Sequence, residues 1–156
     1  MCIRDRFWAL IHLRKSGFTG RELFGLYAIF VRPVIEYCSS VYHSMLTVSQ
    51  EETLERMQKQ VIKLAFGWTD SYVNICNNNG IDTLKNRRLA ALDRFVAKTA
   101  DSDRFADAWF PVRDLQGPEI RNRRIFQETK SKTTRFYNSP LAFMRRRAND
   151  LLEGAE

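Results

Sequence analysis

The sequence predicts an all-α fold, an antiparallel helical cluster with an extended basic segment before a C-terminal helix. Apolar residues recur every three or four positions in several windows, capping and turn residues punctuate those windows, and no alternating pattern of substance marks a strand. At 156 residues, with 44% hydrophobic and 28% charged side chains, the chain fits one domain with a real core.

Residues 1–6, MCIRDR, resemble translated sequencing-adapter read-through and are set aside. The expectation is a truncated reading frame whose protein continues upstream. A first helix is predicted from Phe7 to Ser16, with Gly17 as a left-handed stop. Thr19 then caps a long helix through residue 44. On a helical wheel Leu23, Tyr27, Phe30, Val34, Tyr37 and Val41 form one face, and Phe24, Val31, Ile35 and Tyr42 widen it. Arg32, Glu36, Ser39 and His43 line the opposite strip, with Arg32 and Glu36 spaced to pair. So much apolar width predicts burial on nearly all sides, Tyr37 and Cys38 included as packing residues. Pro33 lacks a backbone donor and presses on the carbonyl of Ile29, so a kink is expected there.

Ser49 and Glu52 read as a capping box before Leu54, Met57, Val61, Leu64 and Trp68, an amphipathic helix ending at Gly67. Asp70 caps a short segment through Cys76, and Asn77 to Gly80 form a loop. Thr83 caps a helix to about Ala100, and Ser102 a short one to Trp109. Gly117 and Pro118 mark a break, after which Ser139 and Pro140 open a last helix to about Leu152, with Leu141, Met144, Ala148 and Leu151 inward.

The formal charge is +7, and residues 113–147 hold ten of the 25 Lys and Arg but three of the 18 Asp and Glu. The whole excess therefore lies in that segment, where a polyanion is the natural partner and a solvated basic tail the bland alternative. Cys2, Cys38 and Cys76 lack metal-ligand spacing, and no signal peptide or 18-residue apolar run occurs, which points to an intracellular chain off the membrane. His12 and His43 have no second ligand or carboxylate at a catalytic spacing.

The wording of residues 31–44, VRPVIEYCSSVYHS, followed by LERMQKQVIKLAFG (54–67), GIDTLKNRRLAALDRF (80–95) and RFYNSPLAFMRRRAND (135–150), carries a family likeness. In this order and at about this spacing the four segments resemble the region after the polymerase palm in reverse transcriptases of non-LTR (LINE-type) retrotransposons. The resemblance covers the chain from about residue 8. It implies a thumb-like helical domain over residues 7–110, which grips the template-primer duplex, and a basic segment with a terminal helix packed on it over 111–156. It further implies a parent RNA-directed DNA polymerase acting in the nucleus, with Mg2+ held by palm aspartates, and the missing palm as a partner of this chain. The family's metal motif is aromatic-x-Asp-Asp, and this chain has no Asp-Asp pair. It is therefore expected to be inactive alone, with no catalytic residue and no cofactor or metal of its own.

Two sets of residues carry the expectation. Arg88 falls inside the apolar face of its helix and is expected to be buried and paired, joining Pro33, Glu36 and Tyr37 as structural residues. Arg87, Arg94 and Lys98 share an outward stripe that either follows a phosphate backbone or faces solvent. Arg121, Arg123, Arg124, Lys130, Lys132, Arg135, Arg145, Arg146 and Arg147 supply sequence-independent backbone affinity, while Phe126, Phe136, Tyr137 and Phe143 either stack on unpaired bases or anchor the segment. Arg145 to Arg147 splay about 100° apart and cannot all reach one backbone. The alternative reading is a stand-alone helical module that binds nucleic acid or an acidic protein without catalysis. An exposed apolar patch on the first two helices, where a palm would dock, separates the two.

Overall fold

The computed structural model describes residues 3–67, 71–102, 104–113 and 124–153. Among them the fold is all-α, as the periodicity predicts, with an isolated antiparallel bridge between Val112 and Phe126. Contacts part the chain into two compact units, residues 1–39 with 47–88, and residues 40–46 with 89–156. The boundary falls at residue 88 and not at 110. The reason is packing: Phe110, Met144 and Ala148 share a core with Leu92 and Val96, so the C-terminal segment and the residues after 88 are one unit.

In the first unit α1 (Ile3–Lys15) ends before Gly17, whose φ of 94° reverses the chain. Thr19 and Glu22 form a reciprocal capping box for α2 (Gly20–Leu26). The chain then widens into a π-helical turn (Tyr27–Val31) and continues as α3 (Arg32–Glu36). This turn is how the backbone absorbs Pro33, which cannot donate to Ile29; the Arg32 N–H instead reaches back five residues to the Tyr27 carbonyl.

The π turn also changes which side chains face inward. Leu23, Tyr27, Val31 and Ile35, four apart throughout, are buried, while Phe30, Val34 and Tyr37 are 57%, 42% and 76% exposed. The expected face, drawn at 3.6 residues per turn, is therefore wrong beyond Tyr27, and burial on nearly all sides is corrected to a single buried seam. Tyr37 is not a packing residue. The helix stops at Glu36; Cys38 in the turn beyond it adopts φ 55° and is exposed, and Ser39, expected on the polar strip, is buried.

After α4 (Ser39–Tyr42) and a 3-10 turn (His43–Met45), helix α5 spans Val48–Phe66. Its capping box is Thr47 with Gln50, two residues earlier than Ser49 and Glu52; Ser49 lies inside the helix, its carbonyl accepting from Thr53 Oγ1 at 2.8 Å. Gly20 makes the α2–α5 crossing possible, because a Cβ there would sit 2.2 Å from the Ala65 carbonyl oxygen. Ser71, not Asp70, caps α6 (Tyr72–Asn78); Asp70 and Trp68 lie outside the described residues. Ile62, Ile75, Cys76 and Ile81 close a smaller core there.

Thr83 caps α7 (Leu84–Ala100), its Oγ1 accepting from the Asn86 N–H at 3.2 Å. In the second unit α8 is one turn (Ala106–Trp109), shorter than the expected segment from Ser102. Pro111 and Arg113 exchange backbone hydrogen bonds with Gln127 and Ile125 around the bridge. A stretch without regular secondary structure then leads to a single capped turn, α9 (Thr134–Tyr137), and to α10 (Pro140–Glu153). Helix α10 buries Ala142, Met144, Ala148 and Asn149, while Leu141, expected inward, is 37% exposed. No helix among the described residues is long and apolar enough to cross a membrane.

Candidate nucleic-acid interface

Five of the basic side chains nominated by the sequence, Arg87, Arg124, Arg145, Arg146 and Arg147, are held by partners inside the fold. Arg87 forks onto Glu36, Nε to Oε1 at 2.5 Å and Nη2 to Oε2 at 3.1 Å. It therefore leaves the outward stripe, and Glu36 pairs with it rather than with Arg32. The Glu36 hydrogen bond, against a smaller opposing effect of burial, pushes the guanidinium pKa up. Arg88 is 1% exposed and pairs through Nη2 with Glu51 at 3.2 Å, while Lys85 holds the other oxygen of Glu51 at 3.3 Å. Its buried, paired state is the one the helical wheel predicts, although Nε and Nη1 find no hydrogen-bond partner.

Next to this pair a second polar network crosses the first unit. Gln58, fully buried, accepts from the Tyr27 hydroxyl at 3.3 Å and donates to Tyr72 Oη at 3.1 Å and to the Asp82 carbonyl at 2.9 Å. Tyr72 in turn donates to Glu55 at 2.5 Å. Burial pushes both phenol pKa values up, with the Glu55 carboxylate adding to the effect at Tyr72. Glu51, Glu55 and Gln58 thus serve as internal partners. Among the described residues no group of three His, Cys, Asp or Glu could hold a metal ion.

The three arginines of α10 meet three different partners, as their splay requires. Arg145 donates from Nε to the Trp109 carbonyl at 2.7 Å and from Nη1 to Thr129 Oγ1 at 3.1 Å, closing the end of α8. Arg146 donates from Nη2 to the Tyr137 carbonyl at 2.7 Å and stacks 3.5 Å from the centroid of the Tyr137 ring. Arg147 forks onto Asp93 at 2.7 and 2.9 Å, and this hydrogen bonding pushes its pKa up. Arg124 pairs with Glu128, four residues on. Nominating these four as open phosphate ligands is corrected accordingly: each has an internal role first.

Five nominated side chains are left outward among the described residues. Lys98, Lys130, Lys132 and Arg135 are exposed and make no ion pair among the described residues; Arg94 is exposed too, with Nε on the carbonyl of Ala90 in its own helix. Arg121 and Arg123 lie outside the described residues. Lys130 and Lys132 sit on the irregular stretch before α9, and Arg135 on α9.

Asn149 fixes that stretch, and sequence reasoning missed it. Its buried amide accepts from the Phe126 N–H at 2.9 Å and donates to the Phe126 carbonyl at 3.2 Å, acting as a neighbouring strand would. The one available signal was a polar residue beside Ala148 on the inward side of α10. Phe126 also packs on Phe110, ring centroids 5.5 Å apart, so among the interleaved aromatics it is an anchor. Phe136 and Tyr137 are instead 45% and 49% exposed.

Comparison with protein-family models, curated proteins and solved structures finds no significant match to this chain.

Proposed function

We propose that this chain is a fragment of a non-LTR retrotransposon reverse transcriptase, its thumb-like region and the segment after it, contributing grip on the template-primer duplex. The observation that carries the reading is the outward run Lys130, Lys132 and Arg135 on a stretch tied down by Asn149. Such a run supplies backbone affinity without reading base sequence, as a processive polymerase requires. A second observation supports docking to a palm: Ile29, Phe30, Pro33, Val34 and Tyr37 form an exposed stripe opposite the buried seam of α2 and α3. Nucleotidyl transfer would come from the metal ions of that palm, and this chain alone is predicted to extend no primer.

The alternative is a stand-alone helical module that binds nucleic acid without catalysis. It is favoured by buried cores in both units. Binding to an RNA–DNA hybrid, measured against salt, tests what both readings share. Neutralising about four phosphates gives a slope of roughly −3 to −4 in log affinity against log salt, and a flat dependence rejects both. An in-frame palm with paired aspartates in the upstream genomic sequence selects the polymerase reading; a promoter and initiator codon there select the module.

A further inference from the structure

Two cavities of the second unit share one wall. The first, of about 600 Å³, is lined by Met45, Thr133, Thr134, Arg135, Phe136, Asn138 and Ser139. The second, of about 320 Å³, is lined by Leu89, Arg124, Tyr137, Asn138, Phe143, Arg146, Arg147 and Asp150. Asn138 borders both, so residues 133–139 form a ridge with a cavity on each side.

This ridge is rigid for its size. Thr133 Oγ1 accepts from the Phe136 N–H at 3.2 Å, and Tyr137 N–H and Asn138 N–H donate to the carbonyls of Thr133 and Thr134 at 2.9 and 3.0 Å. Arg146 fastens its far end through the Tyr137 carbonyl and ring. A held turn that leaves two consecutive aromatic side chains about half exposed is a stacking platform whose ordering cost is already met.

We propose that the ridge is a single-strand site, taking two adjacent unpaired nucleotides of RNA or DNA, one on each side of Asn138. It rests on the nucleic-acid reading above but changes the form of nucleic acid bound here, because a paired duplex offers no free base face to Phe136 or Tyr137. The two cavities between them carry groups for both parts of a nucleotide. Arg135 serves the phosphate at the first. At the second, Arg124, Arg146 and Arg147 are held by internal partners, and Asp150 suits an amino group of the base. The amide of Asn138 can donate to and accept from a base edge on either side.

The test uses the full chain with a fluorescently labelled 12-nucleotide RNA, the same sequence as DNA, and the blunt duplex of each, read by anisotropy. Single strands are expected to bind at least about tenfold more tightly than duplexes, and the RNA and DNA arms identify the natural source. Phe136→Ala with Tyr137→Ala should lose about thirtyfold or more in single-strand affinity, from roughly 1 to 3 kcal/mol for each of the two stacked bases, with duplex affinity within twofold. Phe136→Tyr, which keeps a ring and guards against a folding artefact, should bind like the parent. Equal or tighter duplex binding, an unchanged aromatic double variant, or a Phe136→Tyr variant as weak as the double variant each overturns the single-strand site. Salt-dependent duplex binding in those cases leaves the duplex-grip reading standing, whereas absence of salt-dependent binding to any form removes both.

Discussion

Arg145, Arg146 and Arg147 follow one another on α10, and Lys130, Lys132 and Arg135 occupy the stretch and turn before it, so in sequence the two trios carry equal charge. In the folded chain they differ. The helix trio donates to a helix end, a turn carbonyl and a carboxylate, while the earlier trio is exposed with no ion pair among the described residues. Arg87 and Arg88 repeat the helix case in the other unit, on Glu36 and Glu51. Charge counted in a sequence is therefore not charge available to a partner. An arginine on a packed helix is within reach of carbonyls and carboxylates, and its planar fork uses them; a lysine on an irregular stretch meets water.

The contrast predicts a graded series of stability losses. The largest belongs to Glu51→Ala, which leaves the guanidinium of Arg88 buried without a counter-charge. Breaking such a pair costs about 3 to 5 kcal/mol, and chemical denaturation should read a loss near the lower end, since Glu51 is itself 26% exposed. A loss below about 1 kcal/mol would show that water already solvates the guanidinium. Asn149→Ala comes next, at roughly 1 to 3 kcal/mol, because it orphans the Phe126 N–H and carbonyl together; hydrogen exchange at the Phe126 amide should accelerate with it.

Arg147→Ala should cost about 1 kcal/mol. Its fork onto Asp93 has good geometry, but both side chains are near a third exposed and solvent screens the pair. At the small end, Lys130→Gln, Lys132→Gln and Arg135→Gln together should leave stability within about 0.5 kcal/mol. A large loss there would make the second trio structural too and erase the contrast. The buried phenols add a pH test of the first unit. Their raised pKa means that the stabilisation is present below about pH 10, the unfolded value, and is lost as pH rises further toward the folded value. Tyr27→Phe should accordingly flatten the alkaline decline, and an unchanged profile would mean that the phenol is solvated.

Elements were legible where chemistry is local. Thr83, Gly17 and Gly67 set helix ends by capping and positive φ, and their effects need no tertiary information. Arg88 was legible because its wheel position lies between Leu84 and Leu92. The inward face of the Pro33 helix was not, since one π turn shifts every later residue and nothing in the periodicity of residues 26–44 shows where it falls. The available charge was not legible either: Asp93, Glu36 and the Trp109 carbonyl lie 54, 51 and 36 positions from the arginines they hold. Such partners are products of packing, and a count along the chain cannot see them.

The most direct measurement is the salt dependence of nucleic-acid binding by the Lys130→Gln, Lys132→Gln, Arg135→Gln variant beside that of Arg146→Gln. The account predicts that the triple variant loses about 2 to 3 units of slope, from roughly 0.7 to 0.9 per phosphate released, and that Arg146→Gln leaves the slope within about 0.3. An unchanged slope in the triple variant, or a loss of about 0.7 or more from Arg146→Gln alone, would contradict it.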